Sequence, residues 1–178
     1  MKKVLLFFVF ALSLMTSCKT LSSYYLKGEY SEKPYNAVYK VPLDKIWEKT
    51  ISALEEKGIK EFKIFSKENG IIVSEPVEFS QNYTREDDKG KLINSEAFVV
   101  IGNFHTISGK QLPPDSVKGV VTVRFKTDNG ENSIEISINS LQFLYTYQKG
   151  SEISQNITDI PVKSTGMLEK FILKSVTE

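Results

Sequence analysis

Three stretches hold the side chains whose types and spacing could do chemistry. They are Leu14-Met15-Thr16-Ser17-Cys18 with the single cysteine, Asn103-Phe104-His105 with the single histidine, and the adjacent carboxylates Glu86-Asp87-Asp88. An ionised thiol is a nucleophile or metal ligand, and an imidazole is a general base or metal ligand near neutral pH. Catalysis by either needs a partner group, and a zinc site needs about four ligands. Neither Cys18 nor His105 has partners at such spacing. Adjacent carboxylates can hold a hard cation through their oxygens. Here Arg85, Lys89 and Lys91 surround them and no calcium-loop spacing follows, so they read as a solvated loop. The chain also lacks G-x-S-x-G, a phosphate-cradling glycine loop and H-E-x-x-H. No catalytic constellation, metal site or cofactor is expected.

Cys18 is better explained by what precedes it. Lys2 and Lys3 are followed by residues 4–17, an uncharged and mostly apolar run that ends in Thr16 and Ser17. A basic start, a short apolar run and small residues before a cut form the secretory pattern. A spanning helix needs roughly 20 apolar residues, so residues 1–17 are expected to be a signal peptide and not a permanent anchor. Residues 14–18 resemble the lipobox of bacterial lipoproteins, with Met15 where that family usually has leucine. The resemblance implies a diacylglycerol on the Cys18 sulfur, cleavage just before it and acylation of the new amino group. Several acyl chains hold a protein on a bilayer, whereas one is marginal. Lys19 replaces the aspartate that retains many Gram-negative lipoproteins on the inner membrane, and KTLSS lacks the acidic cluster that resembles a surface-export signal in Bacteroidota. Both features imply an outer-membrane position facing the periplasm.

With residues 1–17 removed, 21 basic side chains face 22 acidic ones, and only Arg85 and Arg124 are arginines. This near-neutral balance gives no basic face for nucleic acid. One cysteine permits no internal disulfide, so stability must come from packing. Residues 18–33 are short of aliphatics and carry Tyr24, Tyr25 and Tyr30, and they are expected to be a lipidated N-terminus and flexible tether. Residues 34–178 are expected to form one domain.

The elements of that domain follow from periodicity. Residues 35–41 (YNAVYKV) have strand composition and end at Pro42. In LDKIWEKTISALEEKG, Ile46, Trp47, Ile51 and Leu54 share one helical face, and Gly58 suits a left-handed stop. Phe62 and Ile64 alternate with charged residues, Glu68-Asn69-Gly70 turns, and IIVSEPVEF returns as a strand. Residues 80–94 are polar and aperiodic, and residues 95–104 (SEAFVVIGNF) are apolar enough for a central strand. Val121, Val123 and Phe125 alternate with polar residues, Asp128-Asn129-Gly130 turns, and Ile134, Ile136 and Ile138 return. Beyond Asn139 the apolar set becomes Leu141, Phe143, Tyr145 and Tyr147, so the parity changes. A bulge near Asn139 and Ser140 would let both sets face the core. A closing helix carries Met167, Leu168, Phe171, Ile172 and Val176 on one stripe, with Glu169 near its start as the helix dipole favours. The order β-α-β-β-β-β-β-α predicts an α+β fold, with a curved antiparallel sheet of about six strands and two helices on one face.

VPLDKIWEKTISALEEKG followed by FKIFSKENGIIVSE resembles the opening of small lipoprotein domains with a TATA-binding-protein-like or helix-grip-like sheet. These include the C-type accessory lipoprotein of the β-barrel assembly machinery and lipoproteins of Bacteroidota. The resemblance implies a fold and carries no catalytic residue. Asp115-Ser116-Val117 resembles the short O-glycosylation sequon of Bacteroidota, which implies Ser116 as an acceptor. The N-x-T matches at Asn82 and Asn156 read as chance in such a protein. The leading expectation is a non-enzymatic lipoprotein, held to the membrane by its lipid, that binds an envelope protein or acts as an accessory subunit. The alternative is a small apolar ligand between the bent sheet and the closing helix, lined by Trp47, Phe143, Tyr145, Tyr147, Met167 and Phe171.

Overall fold

The computed structural model describes residues 25–102, 106–107, 110–111, 113–149, 152–157 and 161–177. The fold is α+β, a mostly antiparallel sheet with two helices packed on it. Strand β1 (Tyr35–Tyr39) leads into helix α1 (Leu43–Glu56). Strands β2 (Phe62–Ser66), β3 (Ile71–Ser74), β4 (Val77–Glu78), β5 (Tyr83–Thr84) and β6 (Val99–Ile101) follow. After the short pair β7 (Thr106–Ile107) and β8 (Lys110–Gln111) come the long strands β9 (Ser116–Asp128) and β10 (Glu131–Lys149). The chain continues through β11 (Glu152–Ile157) and β12 (Val162–Ser164) to helix α2 (Met167–Thr177).

Helix α1 forms where expected. Ile46, Trp47, Thr50, Ala53 and Leu54 are buried at helical spacing, and Asp44 in the first turn suits the dipole. Its end is a Schellman motif: Gly58 takes φ +79°, Ile59 N–H donates to the Leu54 carbonyl at 2.9 Å, and Gly58 N–H donates to Glu55 at 2.9 Å. Ile59 and Leu54 are both buried, the apolar contact that accompanies this cap.

The main sheet runs β1-β10-β9-β3-β2, with β11 on β10 and β4 on β9. Hairpin β9–β10 turns on Asn129 and Gly130, both at positive φ, with Asp128 opposite Glu131. A two-residue loop of this kind matches the strand twist. Val117, Val121, Val123 and Phe125 of β9 and Ile134, Ile136 and Ile138 of β10 face inward. The β9–β10 register then shifts between Asn139 and Gln142, with Ser140 at φ +51°. After the shift Phe143 is buried, so the bulge swaps even for odd positions as the parity change demanded.

The core lies between this face and the helices. The Trp47 ring centroid is 4.8 Å from Phe125 and 5.3 Å from Phe65. Leu168, Ile172 and Val176 of α2 close the other side. Tyr39 Oη donates to the Leu173 carbonyl at 2.7 Å, fixing α2 to β1.

Three details differ from expectation. Residues 99–101 do not enter the main sheet; they form the centre of a small sheet β12-β6-β5 in which β5 and β6 are parallel. All three are buried, which is why the segment reads as central. Val162, Lys163 and Ser164, expected to lead into the closing helix, form strand β12 against β6, and the helix begins only at Met167. Residues 152–157 form β11, whose alternation is too polar to announce a strand.

Candidate functional site

The register shift in β10 leaves room beside it. Where Asn139, Ser140 and Leu141 leave the regular ladder, a cavity of about 240 Å³ opens between β10, β12, the start of β1 and the first turn of α2. Its lining is mostly polar: Ser31, Tyr35, Asn139, Ser140 and Ser164 surround it, and Glu169 is its buried carboxylate.

Glu169 is held by local chain geometry. Gly166 (φ +82°) turns the chain from β12 into α2, and its carbonyl accepts the first helical bond, from Lys170 N–H at 3.0 Å. A Cβ at Gly166 would run into the Tyr35 hydroxyl, so only glycine allows that ring to pack there. Ser164 Oγ accepts from Gly166 N–H at 3.0 Å and donates to Glu169 Oε1 at 2.7 Å. Glu169 thus stands at the third helical position with a side chain only 1 % exposed.

Its other oxygen, Oε2, is buried with no hydrogen-bond partner among the described residues. A buried polar atom left unpaired costs about 1–3 kcal/mol, and more when charged. Burial raises the Glu169 carboxyl above its ordinary value; the Ser164 bond, the backbone N–H groups of Glu169 and Ile138, and the Lys170 charge oppose it without cancelling it. The phenol of Tyr35 is raised in turn, by burial first and then by the Glu169 charge. Cations stand near but do not reach Oε2. Lys163 Nζ pairs with Glu32 Oε1 at 2.6 Å, and Lys170 Nζ lies 5.7 Å from the Tyr35 ring centroid.

A second carboxylate works on the N-terminal segment. Glu86 accepts from Lys27 N–H, Gly28 N–H and Tyr30 Oη, each at 2.7 Å. Burial works against ionisation of Glu86, but these bonds and the Lys27 charge hold it below the ordinary carboxylate range. Tyr30 is pushed well above the usual phenol range, by burial and then by Glu86. Glu86 is therefore not part of a freely solvated loop. Within the expected tether, residues 27–30 are clasped to the domain.

The sequence-predicted residues are dispersed. Cys18 and His105 lie outside the described residues, as do the side chains of Tyr145 and Tyr147. Trp47 and Phe143 are packed into the core, whereas Phe171 lies under the Lys57 ammonium, 3.7 Å from its ring centroid. Trp47, Phe143, Met167 and Phe171 do not line the cavity at the bulge. Ser116 Oγ donates to Glu78 Oε2 at 2.8 Å. Sequence reasoning assigned Glu169 only to the helix dipole. The missed signal is its place on the same row as Ile172 and Val176, three and seven positions on, where a charge is carried inward. Among the described residues no helix is long and apolar enough to cross a membrane. Comparison with known proteins finds no matching family model and no matching curated protein.

Proposed function

We propose that this protein is a lipid-anchored, non-enzymatic component of the cell envelope, whose α+β domain binds another envelope protein or serves it as an accessory subunit. The observation that carries this reading is the position of the only cysteine, Cys18, directly after an uncharged run that follows two lysines. Acylation there gives the thiol a purpose that neither a disulfide nor a metal site supplies. The Glu86 clasp supports it, because a domain tied by its N-terminus gains a defined position relative to the bilayer when the chain nearest the anchor is fixed.

The test is the intact mass of the protein extracted from membranes. The expected species begins at Cys18 and carries one diacylglyceryl and one acyl group, and Cys18→Ser keeps residues 1–17 attached and loses the lipid. An unmodified Cys18 in the native protein overturns the anchor. Crosslinking in intact cells, followed by purification, is expected to recover a protein partner; recovery of lipid alone overturns the accessory role.

A further inference from the structure

We propose that the cavity at the β10 bulge is a binding site for a primary ammonium group, with Glu169 Oε2 as its principal acceptor. This goes beyond the anchor reading and does not depend on it.

The argument starts from an incomplete carboxylate. Glu169 lines the cavity; its Oε1 is served by Ser164, whereas its Oε2 is buried and has no hydrogen-bond partner among the described residues. Of the lining lysines, Lys33 and Lys163, the latter pairs with Glu32, Lys170 acts on Glu169 only through its charge, and no ion pair joins Glu169 to a described lysine or arginine. A buried carboxylate is normally paired, and no described residue supplies the partner of Oε2, a place that a bound group can take. A cationic donor fits best, because it supplies the hydrogen bond and also favours the ionised form that burial disfavours, whereas a neutral hydroxyl supplies the bond alone. An –NH₃⁺ group has three donors and no acceptor. The lining matches that demand with the hydroxyls of Ser31, Tyr35 and Ser140 and the side-chain oxygen of Asn139. The bulge also removes Ser140 from the ladder, and Ser140 lines the same space. The cavity of about 240 Å³ admits an aminoalkyl chain. Such a group reaches the site on a small amine or at the end of a partner's lysine side chain.

The full chain, isotopically labelled and held in mild detergent, is titrated with n-butylammonium chloride, n-butanol and the peptide acetyl-Gly-Lys-Gly-amide at constant ionic strength. The amide resonances of residues 137–141 and 162–169 are followed. The ammonium is expected to shift them saturably, at least tenfold more tightly than the alcohol, and Glu169→Gln is expected to weaken this at least tenfold. Tighter binding of the peptide assigns the group to a protein lysine, and tighter binding of butylammonium to a small amine. Equal binding of alcohol and ammonium, binding unchanged in Glu169→Gln, or no saturable shift overturns the proposal. If Glu169→Gln does not fold, the wild-type Glu169 carboxyl carbon decides. The midpoint of its titration is expected to fall with butylammonium and not with butanol, and a midpoint that stays still overturns the site.

Discussion

At the scale of single residues, Glu169 and Glu86 show how the same side chain takes opposite roles from its surroundings. Glu86 receives three donors and is stabilised as an anion. Glu169 receives one side-chain donor and is penalised by burial. Their pH signatures therefore have opposite sign. For Glu169 the folded value lies above the ordinary 4.5, so the folded state binds the proton more tightly. Its contribution to stability is fully present below about pH 4.5 and is lost as pH rises through the raised value. For Glu86 the folded value is lowered, so its contribution is present above about 4.5 and is lost as pH falls through the lowered value. Urea unfolding of wild type and Glu169→Gln from pH 4 to 8 separates the two. The wild type is expected to lose stability relative to the variant as pH rises from 4.5 toward neutrality, and two parallel curves refute the assignment. The phenol of Tyr35 beside Glu169 is raised above its ordinary 10.0 and stays neutral through that window, so it adds nothing to the difference curve.

Among the elements, the bulge in β10 is decisive. It brings Ile134, Ile136 and Ile138 to the core on one side and Phe143 on the other, and it opens the cavity. Deleting Ser140 removes the extra residue and places Phe143 at the same parity as Ile134, Ile136 and Ile138 in a continuous ladder, so both sets still face the core while the bulge and the room beside it are lost. The expected loss is below about 3 kcal/mol, since no large buried side chain is exposed; denaturant unfolding measures it. A loss as large as that of a core truncation would show that the bulge itself carries packing that a regular ladder cannot replace. The α1 terminus offers a milder check. Gly58→Ala meets no neighbour but must hold φ +79°, so a loss of about 1 kcal/mol is expected from the same measurement.

For the whole molecule, the clasp at Glu86 would set how far the domain stands from the anchor proposed at Cys18. Nine residues separate Cys18 from Lys27, a reach of at most about 32 Å. Releasing the clasp leaves the chain free as far as Glu32, which Lys163 holds, 14 residues from Cys18 and at most about 50 Å. Glu86→Gln removes the charge that strengthens three hydrogen bonds. It is expected to speed amide exchange at residues 27–30 by at least tenfold, and to broaden distances from a spin label on α1 to the bilayer surface. Unchanged exchange would show that the segment is held by other contacts.

Local chemistry alone determined a good share of this protein. Spacing marked helix α1 and its Gly58 stop, the Asp128-Asn129-Gly130 hairpin and the parity change at Asn139, because each depends on neighbours a few positions apart. The cavity, the buried Glu169 oxygen and the clasp belong to tertiary structure. Each joins segments distant in sequence, such as residues 31–35 with 137–141 and 162–169, or residues 27–30 with Glu86. A glutamate at a helix start has the same appearance in sequence whether it faces water or the core. Only the packing of β12 and the bulge over α2 turned Glu169 inward and left one of its oxygens without a donor.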